Sequence, residues 1–178
     1  GNALMNKVDA MGDALSASLS KAKKKVMTRR NDAQRELSKL VKLADFKGKH
    51  VVLEWTNPGC PFVVKHYGSQ NMQSLQKEAT ANGAVWLAIS STARGHTDYL
   101  PPPALAQRYK EWGGAPTAML MDDSGKVGRA YGARTTPHMY VIDPQGLLVY
   151  AGGIDDKRSA NPADVKTAKN FVRAALAE

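Results

Sequence analysis

The most constraining feature of this chain is a break in one short apolar run. Val51-Val52-Leu53-Glu54-Trp55 ends at Thr56-Asn57-Pro58-Gly59, and Cys60-Pro61-Phe62-Val63 opens a new element. Residues 51–55 read as a buried strand, and Pro58 and Gly59 mark a shaped loop. Pro61 has its φ preset and no N–H to leave unsatisfied, so it suits a first helical position. The segment is therefore a strand–turn–helix unit with Cys60 at the mouth of the helix. Partly unpaired N–H groups and the helix dipole favour a negative group there. Such positions lower a thiol pKa from about 8.5 to roughly 3.5–7.5. A lone cysteine is usually a small buried hydrophobe; the prolines and the glycine around this one favour a reactive thiol.

Cys60 is the only cysteine in 178 residues, which excludes an internal disulfide and a Cys-rich metal site. With 43% apolar and 23% charged residues, the chain can build a sizeable core. No stretch approaches the roughly 18 apolar residues of a membrane span, so the chain is expected to be soluble. Compartment stays open between bacterial periplasm and cytoplasm; the start at Gly1 leaves room for a removed export signal or an expression scar. Residues 1–50 carry +7 of the formal net charge of +9, chiefly at Lys21, Lys23, Lys24, Lys25, Arg29 and Arg30. The cluster lacks the aromatic interleaving of a nucleic-acid surface, so it reads as a solvated helix face or a link, and no nucleic acid is expected.

Val8, Met11, Leu15 and Leu19 predict an amphipathic helix over about 3–22, and Ala33, Leu37, Leu40, Val41 and Ala44 another over about 31–44. Such helices pack on the main domain or on a second copy, which would give a homodimer. Beyond the strand at 51–55, the pattern predicts helices at 61–67 and 70–81 with a kink at Gly68-Ser69, and a strand at 84–89. A long loop at 90–103 follows, then a helix at 104–112, a strand at 117–121 and a short helix at 126–131. Strands at 139–143 and 147–151 flank the hairpin signal Pro144-Gln145-Gly146. Asn161 caps a closing helix with Pro162 first and Val165, Ala168, Val172, Ala175 and Leu176 inward. The order gives an α/β domain with a central mixed sheet, a βαβ crossover in front and an antiparallel pair behind.

These motifs together resemble the thioredoxin superfamily, and within it the redoxin branch, the AhpC/TSA or peroxiredoxin-like proteins. The resemblance is carried by Asp45-Phe46-Lys47-Gly48-Lys49, Val51 to Asn57, Cys60-Pro61-Phe62-Val63, Tyr131 to His138, Met139 to Asp143, and Gly152-Gly153-Ile154-Asp155-Asp156. It covers about 43–178, implying a thioredoxin-like domain there, with flanking helices, and a basic helical N-terminal extension at 1–42. It implies a cis Thr136-Pro137 bond facing Cys60, where an extended thiol substrate would meet main-chain hydrogen-bonding groups.

The chain departs from that pattern in several places. Val63 replaces the second cysteine of Cys-x-x-Cys, so no intramolecular dithiol cycle exists. Asn57 stands three residues before Cys60, where peroxiredoxins carry Thr, and Thr56 is one residue further away. Arg134 lies three residues before Pro137. The usual N-terminal Ala-Pro-x-Phe segment is replaced by residues 1–42.

The resemblance implies a one-cysteine, peroxiredoxin-like thiol oxidoreductase. The Cys60 thiolate would reduce a hydroperoxide through a sulfenic acid resolved by an external thiol, glutathione or a thioredoxin-like protein. Asn57, Thr136 and Pro137 complete the expected catalytic set, with Trp55, Thr56 and Arg134 in support. His66 reads as a surface or packing residue. The alternatives are a partner-dependent thiol–disulfide oxidoreductase acting on a disulfide substrate, and a non-catalytic thioredoxin-like binding module. No cofactor is expected. No metal is expected either, since His50, His66, His96 and His138 show no ligand spacing that would join Cys60 in a copper site.

Overall fold

The structure is a computed structural model, and it describes residues 18, 20–25 and 41–177. Contacts divide the chain into two units, Gly1–Lys39 and Leu40–Glu178. In the first, residues 20–25 are helical and exposed, so Lys21 and Lys23–Lys25 lie on a solvated helix. The rest of the helix expected at 3–22, and most of that expected at 31–44, lies outside the described residues. The described end of the latter differs from expectation: residues 41–42 are not helical, and Leu43–Phe46 is a 3-10 turn.

The second unit is a five-stranded mixed sheet in the order β3-β2-β1-β4-β5. The strands are β1 Val51–Trp55, β2 Val85–Ser90, β3 Ala118–Met121, β4 His138–Ile142 and β5 Leu148–Gly152. β1 pairs in parallel with β2 and antiparallel with β4; β2–β3 is parallel and β4–β5 antiparallel. β1 and β2 are buried along their whole length, which explains a near-continuous apolar run where a half-exposed strand would alternate. Alternation survives in the direction of the side chains. Val51, Leu53 and Trp55 join Leu87, Ile89 and Tyr140 on one face. Val52 joins Trp86, Met139 and Val141 on the other.

That second face carries most of the helices: α1 Pro61–Gly68, α2 Asn71–Ala81, α3 Pro102–Glu111 and α5 Phe171–Leu176. They contribute Val63, Tyr67, Met72, Leu75, Leu105, Tyr109 and Val172 to the core. Each such apolar side chain, fully buried, contributes about 1.5–3 kcal/mol. α1 and α2 are separated by Gln70, the one non-glycine with positive φ (60°) among the described residues. A left-handed residue stops one helix and lets the next start at an angle. On the opposite side, α4 Lys126–Tyr131 brings Tyr131 against Trp55, with ring centroids 5.3 Å apart. Left-handed Gly132 (φ 67°) ends α4 and aims residues 133–137 back across the end of β1.

The closing segment departs from the expected single helix. Asn161 does cap a turn, Pro162–Thr167, but this is 3-10, and α5 restarts only at Phe171 with its own cap, Asn170. Between them Asn170 bridges to Asp155, and Phe171 N–H donates to Ile154 O at 3.0 Å. Sheet-like backbone pairing wins over helix continuation at this point.

Candidate active site

The turn after β1 is set by short backbone bonds. Cys60 N–H donates to Asn57 O at 3.0 Å, and Gly59 N–H to Asn57 Oδ1 at 3.0 Å. Cys60 is the N-cap of α1, with extended φ/ψ, and its carbonyl accepts from Val64 N–H at 3.0 Å. Pro61 takes the first helical position, as its chemistry requires. The Cys60 side chain is half-buried and packs on the edge of the core. Its Sγ–H donates to the Thr136 carbonyl at 3.0 Å. The Thr136-Pro137 bond is cis. Thus Cys60, Asn57, Thr136 and Pro137 meet at one end of the sheet, joined by the β1 turn and the residues leading into β4.

The other expected residues sit around this centre in different ways. Trp55 is buried; its Nε1–H donates to Ser91 Oγ at 3.1 Å, and Ser91 donates to Asp122 Oδ2 at 2.7 Å. Burial pushes the Asp122 carboxyl up, but hydrogen bonds from Gly128, Ser91, Val127 and Lys126 outweigh it and hold it below the usual range. Thr56 is buried too, its hydroxyl 2.6 Å from that of Tyr109. Arg134 is exposed in the wall of an open cavity of about 430 Å³ that Asn57 and Thr136 also line. No hydrogen bond or ion pair joins its guanidinium to Cys60.

Several residues of this neighbourhood escaped the sequence reading. Asp98, from the long loop, accepts from Asn57 Nδ2 at 3.0 Å. Tyr109 lies beneath Thr56. Burial pushes its phenol well up, with the nearby Glu54 and Cys60 adding to the effect. Glu54 is wholly buried (0% exposed) and accepts from Tyr67 Oη at 2.9 Å, Gln76 Nε2 at 3.0 Å and Trp86 Nε1 at 2.8 Å. Burial raises its pKa against the pull of those donors. A charged residue in an otherwise apolar strand was the available signal.

His66 is not on the surface: it and Lys65 are 2% and 1% exposed. Both face Asp155 Oδ2, at 3.8 Å from His66 Nε2 and 3.6 Å from Lys65 Nζ. Burial first, then the Lys65 charge, lowers the His66 pKa to about 4, against the opposite pull of Asp155. A second groove, about 380 Å³, lies on this side of the 135–137 turn and is walled by Phe62, Pro137, Ile154 and Asp155.

A family model described as the AhpC/TSA family matches residues 21–151. The chain belongs to the AhpC/TSA family. It is thus a thioredoxin-like redoxin with a single cysteine, and membership carries the general class of thiol-based oxidoreductase. The match begins inside the basic N-terminal segment, ahead of the resemblance at 43–178.

Among solved structures, an uncharacterized conserved protein from Geobacillus kaustophilus is 27% identical with TM-score 0.62, covering 77% of this chain and 72% of that one. A hypothetical protein from Sinorhizobium meliloti 1021 is also 27% identical, with TM-score 0.59 and coverage of 76% and 74%. The exposed lipoprotein thioredoxin of Streptococcus pneumoniae TIGR4 is 26% identical, with TM-score 0.50 and coverage of 71% and 90%. No curated protein matches. Among the described residues there is no cluster of three or more His, Cys, Asp or Glu side chains that could hold a metal. No described helix is long and apolar enough to cross a membrane.

Proposed function

We propose that this AhpC/TSA protein is a one-cysteine thiol peroxidase acting through Cys60. The observation that carries the reading is the sulfur at the N-cap of α1, 3.0 Å from the carbonyl that precedes cis Pro137. A helix N-terminus stabilises thiolate, and a turn with no neighbouring cysteine leaves the oxidised sulfur to an external partner.

In the first step the Cys60 thiolate attacks the terminal oxygen of a hydroperoxide. The S–O bond forms as O–O breaks, Cys60 is oxidised to sulfenic acid carrying the hydroperoxide's proton, and the alkoxide leaves and takes a proton from water to become the alcohol. One external thiol then condenses with the sulfenic acid, releasing water and leaving a mixed disulfide. A second thiol attacks that disulfide, restores Cys60 and departs as the oxidised reductant. A helix leaves its first-turn N–H groups, here Phe62 and Val63, without intrahelical acceptors, so they face the developing negative charge. Asn57 has a second amide hydrogen beyond the one given to Asp98 and takes the same role.

A second reading is partner-dependent exchange with a protein disulfide. Phe62 and Val64, 40% and 46% exposed on the helix that starts at Cys60, favour it by offering apolar surface to a protein partner.

The deciding experiment follows consumption of hydrogen peroxide and tert-butyl hydroperoxide with a small thiol as donor, and reduction of a model protein disulfide in parallel. Wild type is expected to turn over peroxide, and Cys60→Ser to fall to the uncatalysed rate while keeping its fold by circular dichroism. Turnover retained in Cys60→Ser rules out both enzymatic readings. A folded wild type inert towards peroxide and disulfide leaves the binding module.

A further inference from the structure

The 430 Å³ cavity on the far side of the 135–137 turn has a marked chemical bias. Arg129 of α4, Arg134 and His96 line it, and no carboxylate does. Neither guanidinium has a hydrogen-bond or ion-pair partner among the described residues. Two acids that contact wall residues, Asp122 and Asp98, are already engaged. Asp122 lies behind the wall at Gly128, where it accepts from Gly128 N–H at 2.8 Å and from Ser91. Asp98 holds the Asn57 amide and sits 3.9 Å from His96 Nδ1. The N–H groups at the start of α4 are likewise taken by Asp122, so no helix-end cradle for phosphate faces the space. What remains for an anion is a pair of planar guanidinium forks, which match carboxylate and phosphate alike; without backbone N–H groups to serve a phosphate's further oxygens, the two-oxygen carboxylate fits better.

Cys60 does not line the cavity, but the cavity is one residue away from it. Two of its wall residues are the ones that hold Cys60: Thr136 through its carbonyl, and Asn57 through the carbonyl that accepts from Cys60 N–H. Its volume suits a small molecule, not a polymer. We infer that this cavity binds the carboxylate end of the small molecule whose reactive end meets Cys60. The carboxylate can belong to the resolving thiol or to the hydroperoxide. What happens at Cys60 rests on the peroxidase reading; binding in the cavity does not.

The test has two arms on the full chain. In the first, succinate, which has carboxylates but nothing for Cys60 to react with, is titrated calorimetrically into wild type and Cys60→Ser. Saturable binding to both is expected. Arg129→Gln should weaken it about twofold to fivefold, the range of an exposed ion pair, Arg129→Glu should weaken it further, and Arg129→Lys should restore most of it. Absence of saturable binding, or equal binding by wild type and Arg129→Glu, overturns the inference; the latter would place succinate elsewhere on a chain of formal charge +9.

In the second arm, Arg129→Gln is assayed by steady-state peroxide turnover. If the thiol supplies the carboxylate, KM for mercaptosuccinate rises by the same factor while the constants for 2-mercaptoethanol stay unchanged. If the peroxide does, KM for monoperoxysuccinate rises and that for tert-butyl hydroperoxide stays. Both KM values unmoved in a protein that binds succinate through Arg129 also overturn the inference, because the site would not serve Cys60. Succinate binding that depends on Arg129 without any turnover defeats the peroxidase reading and leaves the carboxylate site standing.

Discussion

Two buried carboxylates read by consecutive residues of α1 are held in opposite ways. Glu54 meets Tyr67, and both oxygens sit within 3.3 Å of donors from α1, α2 and β2. Asp155 meets Lys65 and His66 only at 3.6 and 3.8 Å, and its Oδ2 has no hydrogen bond. The first is a closed network: Gln76 also donates to Tyr67 Oη and accepts from Ala115 N–H through Oε1. Networks of this kind fix one arrangement of the elements they join. The second is looser: Asp155 Oδ1 accepts from Lys157 N–H at 3.0 Å, but Oδ2 faces Lys65 and His66 without a directional bond, at the wall of the groove beside Pro137. The contrast implies a rigid floor under β1 and an adaptable side wall one turn away.

Removing each carboxylate tests that contrast most strongly. Glu54→Ala strands the Trp86 indole N–H, the Tyr67 hydroxyl and a Gln76 N–H in the core. A loss of about 3–5 kcal/mol is expected by urea denaturation, as for other broken buried polar clusters. Glu54→Gln keeps one acceptor oxygen and should lose about 1–3 kcal/mol. Asp155→Asn should lose less than either. Equal midpoints for Glu54→Ala and Asp155→Asn would erase the distinction between the two regions.

The pH dependence of stability should separate them next, because the two clusters pull in opposite directions. His66 protonates near 4 in the fold but near 6.5 unfolded, so between those values the unfolded chain binds more protons. Stability from this group is complete above about 6.5 and lost as acid takes the pH towards 4. The size is on the order of 2–3 kcal/mol. The groups facing His66 are Asp155, Lys65 and Asn71. Glu54 is raised above 4.5 by burial, so the folded state holds its proton longer. That contribution falls as pH rises from 4.5 through the folded value. In denaturation series from pH 4 to 7, His66→Gln should flatten the acid-side loss and Glu54→Gln should steepen it. Parallel profiles for wild type and His66→Gln would mean that the imidazole is not held neutral.

The strand–turn–helix around Cys60 was legible because its signals are local: an apolar run, Pro58-Gly59, and a proline at the first helical position. Strand ends shifted by a residue or so because they depend on pairing partners, as where Ser90 extends β2 opposite Met121. The side wall was not legible. His66 reads only as a surface or packing residue, and nothing local says that Asp155, about ninety residues on, faces it and Lys65. The continuous helix expected after Asn161 fails for the same reason. Val165, Ala168 and Val172 keep helical spacing, but the Asp155–Asn170 bridge lies between distant segments. Asn170, a good capping residue inside the run, was the overlooked local sign. The long loop at 90–103 announced itself by length and composition, yet nothing local says that Asp98 returns to Asn57.

That returning carboxylate supplies the smallest and most local test. Asp98 is a third way of holding an acid near Cys60: on the surface, by one amide, against a residue with no side chain. A Cβ added at Gly59 would overlap the Asp98 carboxyl group. Since Asp98 is one-third exposed, it can swing out, at the cost of its bond to Asn57. Gly59→Ala should therefore lose about 1 kcal/mol, the worth of one hydrogen bond. Asp98→Ala should lose a similar amount, and the double variant little more than either alone, because both remove the same contact. Thiol alkylation by iodoacetamide reads the turn directly. Gly59→Ala and Asp98→Ala should shift the Cys60 rate in the same direction, since each frees Asn57, whose carbonyl fixes the Cys60 N–H. Additive stability losses would show that Gly59 is needed for some other reason, and that Asp98 is a bystander where Glu54 is a support.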